Sequence, residues 1–345
     1  MRAAVLREYN APLSLEDVPD PDCPEDGVVL KVAACGICRS DWHGWVGEHP
    51  RVKPGQIGGH EYCGEVVAAG PLAAHRVGDR LIAPFILSCG ACPSCRSGAS
   101  NTCPNQRLPG FVEPGAFAEY VAVPHDHNLS HLPESLDATV AAALGCRVTT
   151  AWHALTGRAA VQAGEWVAVH GTGGVGLSAV MLANALGARV IAVDIVEEKL
   201  SHAKGLGAEA AVNASDGDTA ERIREITGGG AHVSVEALGI VQTTNASIHC
   251  LRTLGRHVQV GMPVGHTATM PIDMNAVYMK NLALYGTRGM PSWRYPSLLT
   301  LIEAGRVDFA PLIARTVPLS AASEELAAFN GPTPPGVAVI TDFLH

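Results

Sequence analysis

The segment from Trp166 to Asp194 constrains the fold more than any other part of this 345-residue chain. It reads WVAVHGTGGVGLSAVMLANALGARVIAVD: an apolar strand, a turn carrying Gly171, Gly173, Gly174 and Gly176, an Ala-rich helix, and a second apolar strand ending in Asp194. The glycines have separate jobs in a dinucleotide-binding βαβ unit. Gly171 permits the tight turn, Gly173 lets the backbone approach a pyrophosphate, and Gly176 allows helix and strand to pack closely, leaving helix N–H groups facing the phosphates. Asp194 stands where a carboxylate accepts hydrogen bonds from both hydroxyls of the adenosine ribose and repels a 2′-phosphate, which favours NAD over NADP. Lys199, five residues on, falls near the same ribose.

From about Val148, apolar strands such as Trp166–His170, Arg189–Asp194 and His257–Gly261 alternate with Ala-rich stretches, the pattern of a doubly wound parallel sheet. The most apolar run, Val175–Val193, is interrupted by Asn184, Gly187 and Arg189, so it reads as a buried helix and strand rather than a membrane span. Ahead of Val148, short β-type runs at Val28–Ala33, Tyr62–Ala69 and Arg80–Pro84 are separated by turn residues. After Tyr285 the alternation loosens into a helical stretch near Tyr295–Ala304 and a Pro-rich tail. The length exceeds one ordinary core. The expected organisation is α/β: a β-rich domain over 1–147, a Rossmann domain over 148–285, and a return segment over 286–345 that completes the first domain.

A formal net charge of −9 argues against a phosphate-backbone partner, so nucleic acid is not expected. The amino terminus, MRAAVLREYNAPLSLEDV, has no long apolar run and meets Glu8 and Glu16 early, which points to a cytoplasmic, reducing setting without membrane association. There, clustered cysteines are metal ligands more often than disulfides. Cys89, Cys92, Cys95 and Cys103 lie in CGACPSCRSGASNTC, a loop over 88–104 able to wrap one tetrahedral zinc and leave no position for substrate. Cys38 and Cys146 stand far apart with His60 between them, and two thiolates with one imidazole leave zinc an open position. That division points to an enzyme. His125, His127 and His131 fall between Pro124 and Pro133 in an expected surface loop and are read as solvated histidines rather than as a metal site.

Taken in order, GICRSD at Cys38, GGHE at His60, the four-cysteine lobe, LGCRVTTAWHAL at Cys146, GTGGVG and Asp194 make the chain resemble the zinc-dependent medium-chain alcohol dehydrogenases nearly end to end. The resemblance implies a GroES-like catalytic domain beside the Rossmann coenzyme domain, two Zn2+ per chain (one catalytic, one structural) and NAD. It implies reversible hydride transfer between a primary or secondary alcohol and NAD+, giving an aldehyde or ketone and NADH.

By the same resemblance Cys38, His60 and Cys146 hold the catalytic zinc, Glu61 sits behind it, and Asp41 orients the histidine ligand. Ser40 matches the hydroxyl that bonds the alcohol oxygen, and His43 the imidazole that passes the proton to solvent. Val175 and Thr150 match nicotinamide contacts and Arg39 a pyrophosphate contact, while Phe85, Trp45 and Trp42 lie along an apolar substrate pocket. Serine rather than threonine at position 40 leaves room for one more methyl group, which favours bulkier or secondary alcohols. One departure is PPGVAVITDF, where Val337 and Ala338 replace an expected second phosphate-binding arginine; Arg288 or Arg294 is the candidate substitute.

Two other readings stay open. A polyol or amino-alcohol dehydrogenase of the sorbitol or threonine type would use Glu48, His49 and Arg294 as polar contacts. A non-catalytic dinucleotide sensor would have no use for the three scattered ligands together with Ser40 and Asp41. A homo-oligomer is expected, a tetramer ahead of a dimer, through edge pairing of the coenzyme-domain sheets. Cys23, Cys35, Cys63 and Cys250 are left with packing roles.

Overall fold

In the computed structural model, which describes residues 1–331 and 336–345, glycine and proline cut the first part of the chain into short strands. These are β1 (Arg2–Val5), β2 (Ser14–Asp17), β3 (Val28–Gly36), β4 (Glu61–Ala69), β5 (Arg80–Ile82), β6 (Tyr120–Val123) and β7 (Ser130–His131). Short helices lie between and after them, one of them Pro93–Arg96. Helix α1 (Arg39–Trp45) begins directly after Cys38, and α2 (Ala138–Ala143) is capped by Asp137, whose side chain accepts from the Thr139 N–H. Instead of stopping, α2 runs into a π-helical turn, Leu144–Val148. Such turns redirect side chains and recur at functional sites.

The next six strands are β8 (Trp166–His170), β9 (Arg189–Asp194), β10 (Ala210–Asn213), β11 (Ala231–Glu236), β12 (Leu251–Gln259) and β13 (Ala283–Gly286). They alternate with α3 (Gly174–Ala185), α4 (Glu197–Gly205), α5 (Thr219–Thr227), α6 (Val241–His249) and α7 (Met274–Lys280). All pair in parallel in the order β10-β9-β8-β11-β12-β13, the dinucleotide-binding topology whose direction reverses between β8 and β11. Every residue of β8 is buried, as a strand covered on both faces requires. Strand β12 starts at Leu251, six residues before the apolar run His257–Gly261, because Arg252, Thr253 and Leu254 are exposed and break the apolar pattern.

The last segment contributes α8 (Tyr295–Glu303), β14 (Ile313–Pro318), α9 (Ala322–Ala328) and β15 (Val337–Asp342). Strand β15 pairs with β3 (Val339 opposite Gly36, Ile340 opposite Cys35), so the first sheet runs β14-β15-β3-β4-β5-β7 with β6 beside β3. Two compact units result, Met1–Thr149 with Gly289–His345, and Thr150–Arg288. Among the described residues, no helix is long and apolar enough to cross a membrane, and the ten cysteines are free thiols.

Candidate active site and metal centres

Pairing of β3 with β4 sets Gly36 opposite Glu61, which brings Cys38, just past β3, beside His60, just before β4. The π-helical turn delivers Cys146 to the same place. Cys38, His60, Glu61 and Cys146 have donor atoms within 4.8 Å of one another. Asp41, in the first turn of α1, organises this corner. Its Oδ1 accepts from His60 Nδ1 at 2.8 Å and from the Gly59 N–H at 3.2 Å, and its Oδ2 accepts from the Cys38 N–H at 2.9 Å.

With Nδ1 donating to Asp41, the lone pair of His60 lies on Nε2, which is buried without a hydrogen-bond partner. An orphaned buried polar atom costs about 1–3 kcal/mol. Two thiols and that lone pair converge on one point with the Glu61 carboxylate close by, and a divalent zinc held by Cys38, His60 and Cys146 would satisfy them and keep one position open; the residues fit the ion. Cys38 is held well below the usual thiol range because the Cys146 thiol donates to it, while Cys146, the donor of the pair, is raised.

Behind the ligands lies a buried ion pair that the sequence reading missed. Arg147 Nη2 stands 2.6 Å from Glu61 Oε2, its Nε donates to Oε1 at 3.2 Å, and Nη2 also donates to the Ile37 carbonyl at 3.0 Å. Burial pushes Glu61 up to about 7 against the opposing pull of Arg147. The available signal was a lone arginine inside the apolar run AAALGCRV; its partner lies 86 residues upstream. Phe111 was missed as well. It packs on His60 with ring centroids 4.6 Å apart and stacks on His49 at 4.6 Å, while Phe85 meets His60 edge-on at 5.8 Å.

Ser40 is half-buried in the first turn of α1. His43 Nδ1 is 2.7 Å from Glu48 Oε2, which orients the ring. Arg39 stacks over Trp42 at 4.5 Å and donates to the Phe329 carbonyl at 3.0 Å; the Trp42 indole donates to Asn330 Oδ1. Trp45, expected along the substrate pocket, is instead core. It is buried with its indole donating to the Ala11 carbonyl, and with Leu6, Leu13, Asp41, Val52 and Phe111 it lines a small internal cavity. Arg294 lies 5.4 Å from the Trp293 ring, in the first unit, whereas Arg288 closes the second.

In the four-cysteine lobe the sulfurs of Cys92 and Cys95 are 3.4 Å apart, Cys92 and Cys103 3.8 Å, and Cys89 and Cys103 3.5 Å. A tetrahedron with Zn–S bonds of about 2.3 Å has edges of about 3.8 Å. The thiols already hold nearly that shape, so they fit a zinc ion with no position left for substrate. Backbone N–H groups of Ala91 and Cys92 lower Cys89 to about 6, while burial pushes Cys95 up to about 12.

His125, His127 and His131, expected in a surface loop, are half-buried or exposed, and each has a polar neighbour. His125 Nδ1 lies 2.6 Å from Asp26, 99 residues upstream, His127 lies 3.3 Å from the Ser88 hydroxyl, and His131 lies with His75 and Asp79. These neighbours lie far away in the chain and are invisible in local sequence.

In the second unit the glycine turn fits a dinucleotide. Gly171 has φ +91°, and a Cβ on Gly176 would sit 1.8 Å from the Gly171 carbonyl oxygen, so only hydrogen fits there. Gly173 is exposed with open space around it, and Gly174 begins α3, followed by half-buried Val175. Asp194 is held by four donors: Thr172 N–H and Oγ1 reach Oδ2 at 2.8 Å each, and the N–H groups of Ile195 and Val196 reach Oδ1 at 2.8 and 3.2 Å. Thr150 is buried at the start of this unit, and Lys199 is half-buried on α4.

Residues 24–134 match the family model described as the alcohol dehydrogenase GroES-like domain, and residues 174–304 the one described as zinc-binding dehydrogenase. An alcohol dehydrogenase of Geobacillus stearothermophilus is 35% identical over 297 residues, covering 84% of this chain and 85% of that one. An L-threonine 3-dehydrogenase of Symbiobacterium thermophilum is 33% identical over 332 residues, 92% of each chain. The solved alcohol dehydrogenase of Thermus sp. ATN1 superposes with a TM-score of 0.91 at 30% identity, covering 99% of this chain and 100% of that one.

Proposed function

The chain belongs to the zinc-type medium-chain alcohol dehydrogenase family, and from that premise we propose that it catalyses reversible hydride transfer between a primary or secondary alcohol and NAD+. The observation that carries this reading is the partnerless Nε2 of His60, buried among the Cys38 and Cys146 thiols. Zinc bound there supplies Lewis acidity to the alcohol oxygen, and NAD supplies the hydride acceptor.

The protein's own groups do the rest. Asp41 fixes the tautomer of His60 and aims its lone pair. The Ser40 hydroxyl hydrogen-bonds the alcohol oxygen and takes its proton as it gives up its own through the coenzyme ribose to His43, which, oriented by Glu48, passes it to solvent. Phe85 and Phe111 wall the histidine ligand with apolar surface, which excludes water and favours an alkyl substrate. Arg147 neutralises Glu61 so that the carboxylate stays ordered behind the ligands. The four-cysteine lobe holds the second zinc for structure.

On the coenzyme side, Gly171, Gly173, Gly174 and Gly176 take the pyrophosphate on the start of α3, and Asp194 takes the ribose. The Thr172 hydroxyl is the one donor of four on Asp194 that can rotate away to admit a ribose hydroxyl. Val175 and Thr150 are assigned to the nicotinamide, Lys199 to the ribose and Arg39 to the pyrophosphate. We take 1–147 with 286–345 as the catalytic domain and 148–285 as the coenzyme domain.

A homo-oligomer, tetramer ahead of dimer, is supported by the half-buried edge strand β13 and by α7, where Met274, Tyr278 and Met279 are exposed; light scattering tests it. The ten free thiols support a reducing, cytoplasmic setting.

A panel of ethanol, hexanol, secondary alcohols, sorbitol and threonine with NAD and NADP tests the activity. We expect NADH formation with hexanol and secondary alcohols and a preference for NAD. Faster oxidation of sorbitol or threonine moves the reading to the polyol or amino-alcohol type, which the threonine dehydrogenase relative and the polar ring of His49 beside Phe111 favour. No turnover with any alcohol favours the sensor.

A further inference from the structure

A third group of metal-type side chains lies on the first unit, outside both cysteine sites. Strands β5 and β7 pair with Leu81 opposite His131, and His75 and Asp79 flank the turn that leads into β5. That turn is fixed by its own hydrogen bonds: the Asp79 N–H donates to the Arg76 carbonyl at 3.0 Å, and the Arg76 N–H to Asp79 Oδ2 at 2.8 Å. His75 Nδ1 stands 3.8 Å from Asp79 Oδ2, and the rings of His75 and His131 meet edge-on with centroids 4.9 Å apart. Donor atoms of all three residues lie within 4.8 Å of one another.

We propose that His75, Asp79 and His131 bind a divalent transition-metal ion of the zinc type, as a third and weaker metal site. Two imidazoles and one carboxylate form a donor set suited to zinc, nickel or copper rather than to calcium or magnesium. Around zinc with bonds of about 2.0 Å, donor atoms sit about 3.3 Å apart. The side chains therefore close by an ångström or so, which rotamer adjustment at a partly exposed site allows. Nearby cations do not compete for the carboxylate. Arg76 Nη1 donates to the carbonyls of Ala73, Ala74 and His75, and Arg80 donates to those of Glu134 and Leu136. An ion here joins the turn between β4 and β5 to β7. Without thiolates and with His131 exposed, the site loads reversibly, after the two cysteine sites are full.

The test uses the holoprotein with its resident zinc, desalted and then titrated calorimetrically with zinc chloride. Wild type takes up one further ion per chain. His131→Asn and Asp79→Asn, checked for wild-type melting without added zinc, each weaken that uptake at least about tenfold, since removing a ligand costs no less than removing a group that supports one. Alcohol oxidation without added zinc stays at the wild-type rate in both. No further equivalent in wild type, or uptake of equal affinity in both variants, overturns the assignment.

Discussion

Replacing Arg147 with methionine keeps the volume of the side chain and removes its charge beneath the proposed catalytic ligands. In the native fold the Arg147 and Glu61 side chains are 5% and 0% exposed, and the guanidinium makes a 2.6 Å contact and a 3.2 Å hydrogen bond with the carboxylate. Removing one partner of a buried pair leaves the other uncompensated, at a cost of about 3–5 kcal/mol. A unit of about 200 residues loses roughly 2–4 °C of melting temperature per kcal/mol, so Arg147→Met should melt about 6–20 °C below wild type. The assay is calorimetric melting of the zinc-loaded protein beside the double variant Glu61→Gln/Arg147→Met. In the double variant no charge is stranded, so most of the loss is recovered and the two substitutions are strongly non-additive. Melting of the single variant within a degree or two of wild type would refute the reasoning, as would a double variant no more stable than the single.

His43→Gln should slow alcohol oxidation mainly below neutral pH, with partial rescue by added imidazole; an unchanged pH profile removes His43 from the proton path. Asp194→Ser should raise KM for NAD by roughly ten- to hundredfold, the worth of a hydrogen bond to a charged group, and improve use of NADP; unaltered coenzyme selectivity counts against the ribose assignment. His170 and His257, in the second unit, are held neutral by burial, lowered to about 3 and about 4. The unfolded chain protonates them below about 6.5, so their contribution is intact above that pH and falls away as pH drops toward 4. The loss approaches about 1.4 kcal/mol per pH unit for each imidazole. Urea unfolding between pH 7 and 5 should show it, and His257→Gln should flatten the slope.

What could be read from the sequence was what is encoded locally. Strand β8, helix α3 and strand β9 follow from Trp166–Asp194 because the glycine turn, the helix start and the terminal carboxylate all lie within one continuous stretch. The four-cysteine lobe is legible for the same reason, since one loop carries all its ligands. Cys38, His60 and Cys146 converge only through the register of β3 on β4 and the π-helical turn, so resemblance rather than spacing gathered them. Arg147, Phe111 and the His75–Asp79–His131 group were not legible, because the fold brings together residues that are far apart in the sequence. Trp45 shows the complementary limit: an indole looks the same in sequence whether it stands in an open cleft or, as here, is buried in the core and donates to the Ala11 carbonyl.

The central claim is that one zinc in each chain is held for chemistry by Cys38, His60 and Cys146, and another for structure by the lobe. Zinc per chain, measured by elemental analysis beside NADH formation from a secondary alcohol, tests it in wild type and His60→Ala. The account predicts two ions and turnover in desalted wild type, and one ion with turnover abolished in a His60→Ala protein that still melts cooperatively. Two retained ions, or undiminished turnover with one, would contradict it.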